Sequence, residues 1–97
     1  METSSTFIIG NVFFGFGRFN LDNCSIFCKS VHRLYDSLIG SHFFDYVNAV
    51  EFISATLKNN NKKNDCPFRF SLHSISADTI VCDDAEYIIL KVFVRVS

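Results

Sequence analysis

The sequence predicts an α+β domain in which two consecutive helices pack on one face of a mostly antiparallel sheet of three to five strands. Three observations predict this class, with the order β(β)-α-α-β-β-β. The N-terminal segment is rich in residues that favour strands, two middle segments repeat apolar residues at helical steps, and the last third alternates apolar with polar residues. A chain of 97 residues has room for one domain, so we expect residues 1–97 to form a single unit.

The first element is predicted over Thr6 to Phe16, where Phe, Ile and Val dominate. Gly10-Asn11 leaves two interpretations open, a single bent strand or a tight hairpin with a two-residue loop. A helix follows, with Asn20 or Asp22 as its candidate N-cap and Gly40 where a left-handed C-terminal cap is expected. Its apolar stripe consists of Cys24, Phe27, Cys28, Val31, Leu34, Tyr35 and Leu38.

The second helix is predicted to begin at Ser41, whose hydroxyl suits an N-cap. Its apolar positions cover more than half of its circumference, which indicates a helix that is buried on two sides. These positions are Phe43, Phe44, Val47, Val50, Ile53, Ala55 and Leu57, extended by Tyr46 and Phe52. The polar run Asn59 to Asp65 then predicts an exposed loop.

Three strands are predicted after this loop. The first contains Phe68, Phe70 and Leu72 in alternation with polar residues, and the second is the short segment Thr79 to Cys82. Asp83-Asp84 predicts a turn. Tyr87 to Val96 is predicted to be the longest strand, with its even-numbered residues on one face and its odd-numbered residues on the other.

The aromatic content is high for the size of the chain. The sequence contains twelve Phe in 97 residues, and each buries roughly 150–250 Å². A small domain cannot easily bury that much apolar area, so we expect a homodimer or another protein contact. The alternative is a Phe-rich core in a monomer. The candidate contact residues are Phe43, Phe44, Tyr46 and Phe52 on the second helix and Phe13, Phe14 and Phe16 near the N-terminus.

A second interpretation is a single-stranded nucleic-acid-binding face. Lys91, Phe93 and Arg95 share one face of the last strand, and Arg69 joins them if its strand is the neighbour. Cations around an aromatic ring bind phosphates and stack on bases. The formal net charge of -1 gives no overall attraction to nucleic acid, so this function is the alternative to protein interaction.

Cys24, Cys28 and His32 follow one another at four-residue steps, which places them on one side of a helix. Such a set could hold zinc with a fourth ligand from elsewhere. The interpretation that we favour is that both cysteines are small core residues and His32 lies at the edge of the stripe. We therefore expect no metal and no other cofactor. The candidate fourth ligands are His42, Cys66, His73 and Cys82.

No catalytic signature is found in the sequence, and we expect a protein that is not an enzyme. The first five residues include Glu2 but no Lys or Arg, so we expect no secretory signal. The apolar stretch from Phe7 to Phe16 is far shorter than the ~20 residues that span a bilayer. We therefore expect reduced cysteines, a cytoplasmic or nuclear location and no membrane partner.

Overall fold

The computed structural model describes residues 5–16, 24–62 and 68–97, with the side chains of residues 16 and 24–27 left out. Along the chain, the elements are β1 (Thr6–Phe16), α1 (Cys24–Leu38), β2 (His42–Phe43), α2 (Tyr46–Asn61), β3 (Phe70–Cys82) and β4 (Ala85–Val96). The predicted α+β class is confirmed: two helices pack with a four-stranded sheet. Neither described helix is long and apolar enough to cross a membrane.

The sheet has the strand order β2-β1-β4-β3, so the first and last strands of the chain lie at its centre. β1 and β4 are parallel, whereas β2 pairs antiparallel with β1 and β3 pairs antiparallel with β4. The two-residue β2 was not predicted. It forms because the chain leaving α1 bonds to the outer edge of β1, where the Ile9 amide donates to the Ser41 carbonyl and the Gly40 amide donates to the Ile9 carbonyl.

β1 is one continuous strand, which decides between the two interpretations of Gly10-Asn11. The register with β4 shifts between Ile9 and Asn11, so Gly10 is the extra residue of a β-bulge. A side chain at position 10 would collide with Ile89. The bulge changes which residues face the helices, from odd numbers before Gly10 to even numbers after it.

β3 joins two of the predicted strands into one strand of 13 residues. Its register with β4 shifts between Leu72 and Ser74, which identifies a second bulge. Asp83 and Asp84 form the predicted turn with φ values of 51° and 63°. Two left-handed residues between paired strands define a type I′ hairpin. The molecule measures 54 × 20 × 18 Å, because this hairpin is long.

The helices cover one face of the sheet and enclose the core. The even-numbered residues of β4 from Leu90 to Val96, which were predicted to share one face, are buried together with Leu34 and Leu38 of α1 and Ile53 of α2. Gly40 has φ +79°, so the left-handed cap after α1 is confirmed. The candidate N-caps Asn20 and Asp22 lie outside the described residues.

α2 begins and ends later than predicted. Its N-cap is Asp45, whose Oδ1 accepts a hydrogen bond from the Val47 amide at 2.7 Å, rather than Ser41. Phe43 is in β2 and Phe44 lies between β2 and the helix. The helix continues through Asn59 to Asn61, into the segment predicted as a loop.

The side chain of Asn61 hydrogen-bonds to Phe70, the first residue of β3, on the edge that faces away from β4. Its Nδ2 donates to the Phe70 carbonyl at 2.7 Å, and its Oδ1 accepts from the Phe70 amide at 2.8 Å. The side-chain amide thus bonds to Phe70 as a neighbouring strand would, and it joins the end of α2 to the sheet.

Candidate interaction surfaces

Aromatic side chains gather where β2 meets the start of α2. Phe7 of β1 pairs with Phe43 of β2 across the antiparallel ladder. The Phe43 ring lies 5.2 Å from that of Phe52, and the Phe7 ring lies 6.1 Å from that of Tyr46. Phe44 follows directly and is 82% exposed. We call these five residues the aromatic patch.

Exposure is uneven within the patch. Phe7 and Phe43 pack partly against the core, so their rings support the surface from beneath. Phe44, Tyr46 and Phe52 are all exposed. A Phe that is as exposed as Phe44 loses the free energy of burial, about 1.5–3 kcal/mol. The patch therefore offers apolar area that a partner can cover.

A groove between α1 and α2 begins beside Phe52. It has a volume of ≈ 330 Å³ and is lined by Arg33, Leu34, Ser37, Phe52, Thr56, Asn59 and Asn60. Asn60 is 6% exposed, and its Nδ2 has no hydrogen-bond partner. A buried donor without an acceptor is costly.

Phe13 and Phe14, two of the three N-terminal candidates, do not join the patch. Phe13 lies on the sheet face that the helices leave open, where it is 46% exposed. Phe14 points to the other face, and its ring meets that of Phe70 edge-on at 6.1 Å. Phe14 is therefore a core contact rather than a surface residue, because neighbouring strand residues point to opposite faces. The side chain of Phe16 lies outside the described residues.

The open face brings the nucleic-acid candidates together. The Phe93 ring stacks on Phe13, with centroids 5.1 Å apart and planes 18° apart. Arg95 pairs with Ser71 of β3 across the ladder. Arg69 exchanges both backbone hydrogen bonds with Ser97, which puts its side chain on the same face as Arg95.

A hollow of ≈ 500 Å³ lies beside this stack. It is lined by Gly15, His73, Phe93, Val94, Arg95, Val96 and Ser97. Lys91, the other predicted cation, is 3.2 Å from Asp78 in an ion pair. Its charge is thus partly neutralised, and the positive charge beside the aromatic stack comes from Arg69 and Arg95.

The zinc set is only partly described. Cys28 and His32 are exposed, so Cys28 is not the core residue that the helical stripe predicted. The Cys24 side chain and Cys66 lie outside the described residues. Within the described part of the chain, no three His, Cys, Asp or Glu side chains are grouped to hold a metal ion.

Sequence reasoning missed Phe7 as part of the aromatic patch. It reaches the patch through β2, an element of two residues that carries no periodicity of its own. Predicting its place in the patch would have required knowing that β1 pairs with the chain after Gly40. No local sequence pattern near Phe7 indicates this pairing.

Comparison with family models, with curated proteins and with solved structures gives no match for this chain. The interpretation of these surfaces therefore depends on their own geometry.

Proposed function

We propose that this domain is a non-enzymatic protein-interaction module that binds its partner through the aromatic patch. The observation that carries the proposal is Phe44, a large apolar side chain that is 82% exposed beside Tyr46 and Phe52. Aromatic residues at the centre of an interface commonly supply most of its binding energy. Adjacent rings of Phe7 and Phe43 hold this surface in place before binding.

The partner proposed first is a second copy of the chain, which would make the module a homodimer. A two-fold contact buries the same patch twice, and this would cover the aromatic area that a small domain leaves exposed. The groove beside Phe52 adds concave surface next to the patch for a polypeptide ligand.

The test is the substitution Phe44→Asp. Because Phe44 is so exposed, we expect the free energy of unfolding to change by no more than about 0.5 kcal/mol. Association should weaken by at least about tenfold, as for an interface hot spot. Ala55→Asp is the matched control, since Ala55 is an exposed residue of α2 that lies outside the patch.

Sedimentation equilibrium over a concentration series gives the association constant of each variant. An association constant that is lower in Phe44→Asp than in Ala55→Asp and the parent chain supports the proposal. Equal masses and equal stabilities for both variants and the parent chain would refute a homodimer that forms through the patch.

A second candidate function is single-stranded nucleic-acid binding on the open face. It is favoured by one observation, the stacked rings of Phe13 and Phe93 beside Arg95. Stacking contributes roughly 1–3 kcal/mol per base. Fluorescence anisotropy with a labelled oligonucleotide at low salt tests it: binding should weaken when Phe93→Ala and Arg95→Ala are combined. Absence of binding by the parent chain removes this candidate.

A further inference from the structure

The outer edge of β3 is open along most of its length. Among the residues that the structure describes, β3 pairs with β4 on one side only, and Asn61 covers the other side only at Phe70. From Ser76 to Asp84 every residue is exposed. This stretch of nine residues is the exposed edge of the sheet.

The hairpin geometry shows which backbone groups face this edge. In a two-residue hairpin, the residues that flank the loop share hydrogen bonds, and bonded pairs then alternate with non-bonded pairs. Cys82 pairs with Ala85 across the loop, and the register continues without a shift back to Ser74. The even-numbered residues of β3 therefore bond to β4. The residues whose amides and carbonyls point to the open edge are Ile75, Ala77, Thr79 and Val81.

Apart from the charges of its aspartates, the edge lacks the features that usually prevent strand pairing. Natural edge strands are protected by Lys, by Pro, by bulges or by their shortness. The opposite edge strand, β2, is only two residues long. By contrast, the stretch Ser74 to Cys82 contains no Pro or Lys and has no bulge. Val81 is 72% exposed and Ile80 is 46% exposed, which adds apolar area beside the free backbone groups.

Three aspartates lie along this edge. The Oδ2 of Asp78 lies 3.2 Å from the Nζ of Lys91 on β4, which offsets its charge within the chain, whereas Asp83 and Asp84 lie in the loop at the end of the edge. Like charges directly opposite each other are destabilising. Two identical edges therefore need an antiparallel register that sets no aspartate opposite another.

We propose that the exposed edge of β3 pairs antiparallel with the same edge of a second copy. The register with Thr79 opposite Thr79 meets this condition, since Asp78 then lies opposite Ile80, and Asp83 and Asp84 fall opposite Ile75 and Ser74. It also places Val81 opposite Ala77 and makes a bonded pair of the two threonines. The product is one eight-stranded sheet across two chains. This contact uses neither Phe44 nor any other residue of the aromatic patch.

Amide hydrogen exchange measured by NMR tests the pairing residue by residue. At ~1 mM protein, a dimer with a Kd of about 0.1 mM or below is mostly formed. The four edge amides should then exchange roughly fivefold or more slowly than in a monomeric variant, because no more than about a fifth of the chain remains monomeric. The amides of Ser74, Ser76, Asp78 and Ile80 already bond to β4 and should exchange alike in both.

The monomeric variant is Val81→Lys, which puts a cation beside the edge and removes an exposed apolar side chain. Val81→Thr is the matched control, because it keeps a β-branched side chain without charge and should retain the protection. Thr79→Pro provides a second test: it removes an edge amide but no bond to β4, so the hairpin should persist and the pairing should be lost.

The outcomes distinguish this contact from the aromatic patch. Phe44→Asp should leave the slow exchange of Ala77 and Thr79 unchanged. Fast exchange of the four edge amides at ~1 mM would overturn the proposal, whether the chain is then a monomer or a dimer formed through another surface. Protection that appears only after an extended peptide from another protein is added would also overturn it, because the occupant would then not be a second copy.

Discussion

Replacing Asn61 by Ala should be one of the most damaging single changes at a polar residue of this domain. The substitution removes both hydrogen bonds to the backbone of Phe70, at 2.7 and 2.8 Å. Each such bond contributes about 0.5–1.5 kcal/mol net, and the cost is larger when a buried partner is left unsatisfied. Phe70 is 1% exposed. We therefore expect the free energy of unfolding to fall by about 2–3 kcal/mol.

For a domain of this size, that loss corresponds to a fall in Tm of roughly 10–20 °C. Urea denaturation followed by circular dichroism measures the free energy, and a thermal scan measures Tm. Asn59→Ala is the control, because Asn59 is an exposed residue of the same helix and has the same side chain. If the free energies of unfolding of the two variants agree to within about 0.5 kcal/mol, the two hydrogen bonds from Asn61 to the Phe70 backbone do not stabilise the fold. That result would refute the prediction.

Two further predictions concern the backbone. Gly10→Ala should lower the free energy of unfolding by about 1–3 kcal/mol, because the new methyl group collides with Ile89 in the bulge of β1. The double variant with Ile89→Ala should recover part of that loss in urea denaturation, and additive losses would argue against the collision. Replacing Asp83-Asp84 by Asn-Gly should raise the free energy of unfolding by about 0.5–1 kcal/mol, since both residues have positive φ. A fall in stability would contradict the type I′ assignment.

The sequence predicted the helices and strands better than it predicted which strands pair with each other. Periodicity found both helices and the two faces of β4, because each depends on residues a few positions apart. It could not find β2, which exists only through contacts with β1. Bulges at Gly10 and after Leu72 made the extent of β1 and β3 hard to predict. Each extra residue changes which face the following side chains occupy, and this interrupts the alternation that indicates a strand.

The same limit applies to the interaction surfaces. Phe43, Tyr46 and Phe52 were predicted as one group and do lie together, because they are close in sequence. Phe13 and Phe14 were assigned to the same surface, but strand alternation separates them onto opposite faces. Phe7 joins the patch only through tertiary structure.

The parallel pairing of β1 with β4 has a consequence for how fast the chain folds. Thr6 lies beside Tyr87 and Phe16 beside Val96, so the middle of the sheet joins residues about 80 positions apart. Contacts between such distant residues require a large loop to close before they contribute stability, which slows folding. While the ribosome is still adding β4, β1 has no central partner. The newly made chain therefore exposes an apolar strand until β4 has been synthesised, and it depends in that interval on dilution or on a chaperone.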